Sequence, residues 1–431
     1  MKLKNIIGAA AALGLALAAS PASAVDFHGY LRSGIGGNTN GGGQVCFQLP
    51  GSPFKFRLGN ECETYGEIEF QQSLYKDKSG VEFTYGLMLG FNTPGAQDYE
   101  GIGGAIALRQ SWVGAKNLPI LPAGSMLWMG KRYYDRNDVH IIDYFYWDTS
   151  GPGVGLEGIN PGVGKLSFAL FQNKYGDQKQ IWRPDFRWTN LPVGFGTVDV
   201  GLALYYTSDQ TAAQTANRQK TSPWFTVQHQ APIFGGNNKL AVQYATGSAT
   251  AMNGYPNEGM PSSATKWRIV EHLMFQPTAQ VSGSFVFQYE DAKSNTASPN
   301  IYNNRTAWAV GARPAYSFND WFKVSAELGF QSISSKNPVD TGLAHDAATL
   351  TKLTIAPTFT PPAGPGGIFW TRPELRFFLT YAAWNKAAQA NKQFAGGMFG
   401  QNACTTGGTV TGVMGCDTSG VTIGAQAESW F

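Results

Sequence analysis

In Lys131–Gly153, KRYYDRNDVHIIDYFYWDTSGPG, charged side chains of both signs are interleaved with aromatic rings. Two chemistries fit that mixture. Asp138, His140 and Asp143 could pass protons, and paired carboxylates cleave glycosides. Alternatively, rings flanked by Arg, Asp and Glu suit carbohydrate. The C–H faces of a sugar lie on aromatic planes while its hydroxyls bond to the flanking charges. Each ring would contribute about 0.5–1.5 kcal/mol, by analogy with aromatic pairs. The segment follows a short apolar run, Ser125–Gly130, and ends in Gly-Pro-Gly turn chemistry. A loop this long and this aromatic must lie against protein while still facing water. It is expected to fold into the lumen of a β-barrel and narrow it.

The elements that would position such a loop alternate in polarity. Val25, Phe27, Leu31 and Ile35 share one face, and Asp26, His28, Tyr30 and Arg32 the other. Tyr65, Glu67, Glu69 and Gln71 share a face within Glu63–Leu74. Val81–Asn92, Ala105–Lys116 and Ser125–Lys131 follow as strand candidates, with a less clean phase around Arg109. Near the end, Trp370, Arg372, Glu374 and Arg376 share parity, as do Gln426, Glu428 and Trp430. About eighteen such segments occur, each near the roughly 9–11 residues that a tilted strand needs to cross a bilayer. Gly36–Glu61 reads as a long loop. Short turns such as Asn160–Val163 and Phe318–Asp320 alternate with long polar loops such as Ser248–Thr265, Ala292–Asn304 and Lys386–Gly420. The expectation is an all-β fold: one 18-stranded antiparallel transmembrane β-barrel spanning 25–431, with an inward-folded constriction loop.

Parity then bears on function. If the apolar sides meet lipid, Tyr30, Tyr65, Trp370 and Trp430 stand on the wet interior wall. Rings there are costly unless something covers them, and a sugar does so.

Bulk composition agrees. Charged residues make up 14% of 431, well below the usual quarter. Residues 1–24 read as a secretory signal, with Lys2 and Lys4, an apolar run Ile6–Ala19 and the small-residue site Ala22-Ser23-Ala24. Without those two lysines, 30 basic residues face 29 acidic ones, which leaves no footprint for nucleic acid. Four cysteines lie in two local pairs, Cys46 with Cys62 and Cys404 with Cys416. In an exported chain two disulfides are expected, with near-neighbour pairing favoured among three connectivities. Neither pair has the spacing of a metal site, and no cofactor is implied.

VDFHGYLRSGIG at Val25–Gly36, RLGNECETY at Arg57–Tyr65, GKRYYDRNDVHIIDYFYWDTSGPG at Gly130–Gly153 and WTRPELR at Trp370–Arg376 closely resemble the maltoporin family. VQYAT at Val242–Thr246, GARP at Gly311–Pro314 and the final GAQAESWF fit as well. These are trimeric sugar-specific porins of the bacterial outer membrane. The resemblance implies a line of aromatics, the greasy slide, flanked by an ionic track, and passage of maltose and maltodextrins. Slide positions fall on Tyr30, Tyr65, Trp370 and Trp430. Track and constriction positions fall on Arg32, Arg57, Glu67, Arg109, Arg136, Asp138, His140 and Asp143. Cys46–Cys62 matches the family's first-loop disulfide, and Cys404 and Cys416 are an addition. Three positions depart: the slide Trp of the second outer loop has Tyr99 as its nearest candidate, a slide Phe falls on Asn237, and a constriction Tyr falls on Phe145.

Catalysis is not expected, since the acid/base candidates lie on one loop and no GxSxG or HExxH motif occurs. The stronger alternative is a general diffusion porin, which needs a charged constriction but no aromatic wall. A secreted glycan-binding β-protein would need neither the terminal Phe nor an apolar exterior.

Overall fold

The computed structural model describes residues 25–49, 51–93, 106–175, 179–207, 221–256, 260–294, 304–335, 347–364, 367–389 and 417–431. Residues 1–24, read above as a secretory signal, and Tyr99, Cys404 and Cys416 lie outside these. Eighteen strands form one closed antiparallel sheet. Each pairs with the next along the chain. Closure comes where Ser419–Trp430 pairs with Asp26–Asn38, setting Trp430 opposite Tyr30. Met126–Arg132 pairs directly with Gly151–Ile159, so the segment between them leaves the wall. That segment folds inward as a small hairpin, Asn137–Val139 with Tyr144–Trp147, around a 3-10 turn at His140–Ile142. The expected constriction loop is therefore present.

Burial is inverted relative to a protein dissolved in water. Phe27, Leu31 and Ile35 are 51%, 41% and 78% exposed, whereas Arg32 between them is 7% exposed. Phe377, Leu379 and Tyr381 face out while Glu374, Arg376 and Thr380 are buried. Apolar side chains outside and charges inside fit a wall whose outer solvent is hydrocarbon. Closing the sheet satisfies every strand edge, as that solvent demands. Among the described residues no helix is long and apolar enough to cross a membrane.

Two sequence readings need correction and a third finds its cause. Trp370 is not on a strand. It ends a 3-10 turn, Ile368–Trp370, in the connection before Glu374–Trp384, so its inward position comes from that turn and not from strand parity. The segment Gly36–Glu61 is more than a loop. Phe47, Leu49, Phe54 and Phe56 are buried with the constriction hairpin, and the backbone N–H groups of Lys55 and Arg57 donate to Ile142 and Ile141 at 3.1 Å. The Cys46–Cys62 disulfide closes the base of this first inward loop. Finally, Met88 pairs with Gln110 but Leu89 with Leu108, so Arg109 is the extra residue of a β-bulge. The bulge explains the irregular phase there and frees Arg109 from strict alternation.

Glycines on the wall receive the loops. A Cβ on Gly201 would collide with the Trp147 indole, and Gly311 and Gly329 are both covered by the Phe56 ring. A buried Trp or Phe anchor is worth about 3–5 kcal/mol against truncation. Gly201→Leu is therefore expected to push Trp147 and its hairpin off the wall. The hairpin then moves further into the lumen that it narrows, so single-channel conductance should fall, with the barrel still folded.

Candidate functional site

The four aromatics chosen by parity and resemblance form an unbroken row inside the barrel. Ring centroids are 6.0 Å apart from Tyr65 to Tyr30, 6.5 Å from Tyr30 to Trp430 and 5.8 Å from Trp430 to Trp370. Phe369 continues the row at 5.0 Å from Trp370. Three strands and one 3-10 turn build it. Strand pairing brings Tyr30, Tyr65 and Trp430 together, since Arg32 pairs with Tyr65 and Tyr30 with Trp430. The 3-10 turn supplies the remaining two rings. All four predicted members are partly exposed, so their faces are open to the lumen.

Charges line this row. Arg32 stands 4.9 Å above the Tyr65 ring and pairs with Glu61 at 2.8 Å and with Glu63. Arg57 donates to the Tyr30 hydroxyl at 2.6 Å and pairs with Glu61 at 2.8 Å. Glu67 accepts from Tyr65 at 2.6 Å and Tyr133 at 3.0 Å, and pairs with Arg109 at 3.4 Å. Glu428 was not among the predicted site residues, although it shares a face with Trp430. Its carboxylate accepts from Tyr30 at 2.8 Å and pairs with Arg57 at 3.3 Å, Arg372 at 2.9 Å and Arg376. Arg372 also lies 4.1 Å over Trp430. Tyr133, Glu61 and Glu63 were likewise missed; nothing in their own spacing marks them.

The remaining predicted residues divide. His140 packs on the row, 5.3 Å from Trp370 and 5.9 Å from Trp430. Its Nδ1 lies 3.0 Å from the Arg57 guanidinium. Arginine has only donors, so Nδ1 accepts and the ring proton sits on Nε2. Arg136 is stacked 3.4 Å from Tyr133 and 4.5 Å from Phe145. Asp138 lines a cavity with Lys239 and Asn237 that borders the row at Phe369 and Trp370. Asp143 is an exposed left-handed residue at φ 52° closing the His140 turn. Among the described residues no side-chain hydrogen bond joins Asp138, His140 and Asp143, and His140 faces an arginine where proton relay would want a carboxylate.

Burial first, then Arg57, hold the His140 imidazole well below its ordinary range. The folded site keeps His140 neutral, while an unfolded chain would protonate it near 6.5. Its contribution to stability is therefore complete above about pH 6.5 and declines as pH falls below that value. Sugar block of the channel is expected to stay flat from about pH 8 to 6. An inflection near 6.5 would show a histidine titrating normally at the row.

A closed barrel with an apolar exterior, a charged interior and inward-folded loops defines a porin of the bacterial outer membrane. Within that class the LamB porin family matches residues 25–431, and the chain belongs to that family. It is 36% identical over 394 residues to the maltoporin of Hahella chejuensis (strain KCTC 2396), covering 88% of this chain and 92% of that one. Among solved structures, OmpF of Salmonella typhi overlaps with a TM-score of 0.49 at 9% identity, covering 94% of this chain and 97% of its own. Wzi of Escherichia coli, an outer membrane protein involved in group 1 capsule assembly, overlaps at 0.46 and 11%, covering 96% and 86%. Neither overlap is close enough to bear on function.

Proposed function

We propose that this porin passes maltose and maltodextrins by facilitated diffusion along Tyr65, Tyr30, Trp430 and Trp370. The sugar slides from ring to ring while its hydroxyls exchange bonds with Arg32, Arg57, Glu67, Arg109 and their partners. Tyr99 would extend the row outward. Arg136, Asp138, His140, Asp143 and Phe145 would shape the narrow point. The mature chain, 25–431, would act as one domain in a homotrimer within the lipid bilayer after loss of residues 1–24. Supporting this reading above all is the unbroken run of rings with charges along it. A general diffusion pore has no use for such a run. Binding must be weak enough to release; a millimolar site is about −4 kcal/mol.

Liposome swelling tests the reading. Vesicles carrying the protein should admit maltotriose several-fold faster than raffinose, a trisaccharide of the same size. Equal rates would point to a general diffusion porin. Release of reducing ends in the same assay would point to an enzyme.

A further inference from the structure

Behind the constriction hairpin the wall carries a surplus of positive charge. Lys266, Arg268 and Arg305 are each more than nine-tenths buried, and they converge on one carboxylate, Glu290, at 3.1, 3.3 and 2.6 Å. Arg305 takes one oxygen of Glu290, while Lys266 and Arg268 share the other. With Arg305 set aside, two cations still face a single carboxylate. Among the described residues no other carboxylate pairs with Lys266 or Arg268. A buried charge is costly unless something of opposite sign covers it.

Donors stand at the same place. Arg268 Nη1 donates to the Tyr146 carbonyl at 3.1 Å and to Gln243 Oε1 at 2.9 Å, but among the described residues its Nη2 has no hydrogen-bond partner. Arg268 pairs across the sheet with Glu290 and Val270 with Gln288, so Gln288 lies two residues from Glu290 on the same inner face. Gln288 is wholly buried and neither atom of its amide makes a hydrogen bond, though the Tyr144 phenol stands close by. The Tyr144 ring also lies 5.0 Å from the Arg268 guanidinium, so Arg268 and Gln288 border one space under that ring. Water would accept from both donors but would bring no charge. We infer that a small monovalent anion of chloride size binds here, between hairpin and wall, in contact with Arg268 Nη2 and the Gln288 amino group. Lys266 adds its charge from the far side of Glu290. The consequence reaches both inward loops, since Arg268 holds Tyr146 of the hairpin and Arg305 holds the Gly51 carbonyl of the first loop. The anion would fasten the narrow point to the wall, whichever solute the pore passes.

Bromide is the probe, because it has the size and charge of chloride and scatters anomalously. Crystals of the full-length protein grown in sodium bromide should give an anomalous peak touching Arg268 Nη2 and Gln288 Nε2. Heat unfolding of the protein in detergent should run about threefold faster or more in gluconate than in chloride at equal ionic strength, since gluconate is too large to enter and binding to the folded state alone stabilises it. Gln288→Glu places a negative charge on the chain itself, so it should remove the bromide peak and make the two rates equal. The inference is overturned if no bromide appears between Arg268 and Gln288, if Gln288→Glu retains it, or if the unaltered protein unfolds equally fast in both salts.

Discussion

Trp430→Ala is expected to weaken maltotriose block about tenfold while leaving the pore open. Trp430 is the ring that joins the two halves of the row. It lies 6.5 Å from Tyr30 and 5.8 Å from Trp370, and among the described residues no other ring contacts both. One ring contact is worth about 0.5–1.5 kcal/mol, or roughly 2- to 13-fold in affinity. The upper part of that range is expected, because Arg372 loses its stacking surface 4.1 Å away and is free to turn. Tyr65→Ala, at one end of the row, should cost less. Binding-noise analysis of ion current reads both the affinity and the dwell time, and the change should appear mainly as faster release. Trp430 lies at the end of a strand whose outward residues are untouched, so heat stability of the barrel should hold.

Glu428→Gln should give the second large effect, on charge selectivity. Its carboxylate is 1% exposed and gathers Arg57, Arg372 and Arg376. Glutamine keeps the shape but removes the charge, leaving three guanidinium groups to Glu61 and Glu374. Removing one partner of a buried ion cluster costs about 3–5 kcal/mol. Water in the lumen puts this case at the low end, about 3 kcal/mol or less. Reversal potential across a KCl gradient should move toward chloride, and Tyr30, which donates to Glu428 at 2.8 Å, should loosen. An unchanged reversal potential would mean that the cluster lies outside the ion path.

Much of the wall was legible because a strand crossing a membrane must alternate. Phe27, Leu31 and Ile35 could be assigned outward and Arg32 inward from spacing alone, and the structure agrees. Wherever the chain departs from regular alternation, spacing lost its hold. Arg109 sits in a bulge, which shifts parity by one residue. Trp370 reached the lumen through a 3-10 turn, so strand parity gave the right side for the wrong cause. The first loop gave a weaker signal, the apolar residues Phe47, Leu49, Phe54 and Phe56 within a Gly-rich stretch. Where they dock depends on Gly311 and Gly329, more than 250 residues away. Glu428 could have been found, since it is two residues before Trp430 on the same face. Tyr133 and Glu61 could not, because only the folded-in loops bring them to the row.

All of this depends on sugars being retained inside the pore, and block of ion current measures that retention directly. Purified protein in a planar bilayer, titrated with maltose, maltotriose and maltohexaose, should show current interruptions whose Kd falls stepwise with chain length, as more of the row is covered. A channel of steady conductance that responds to none of the three, or to all three only in proportion to solution viscosity, would contradict the account.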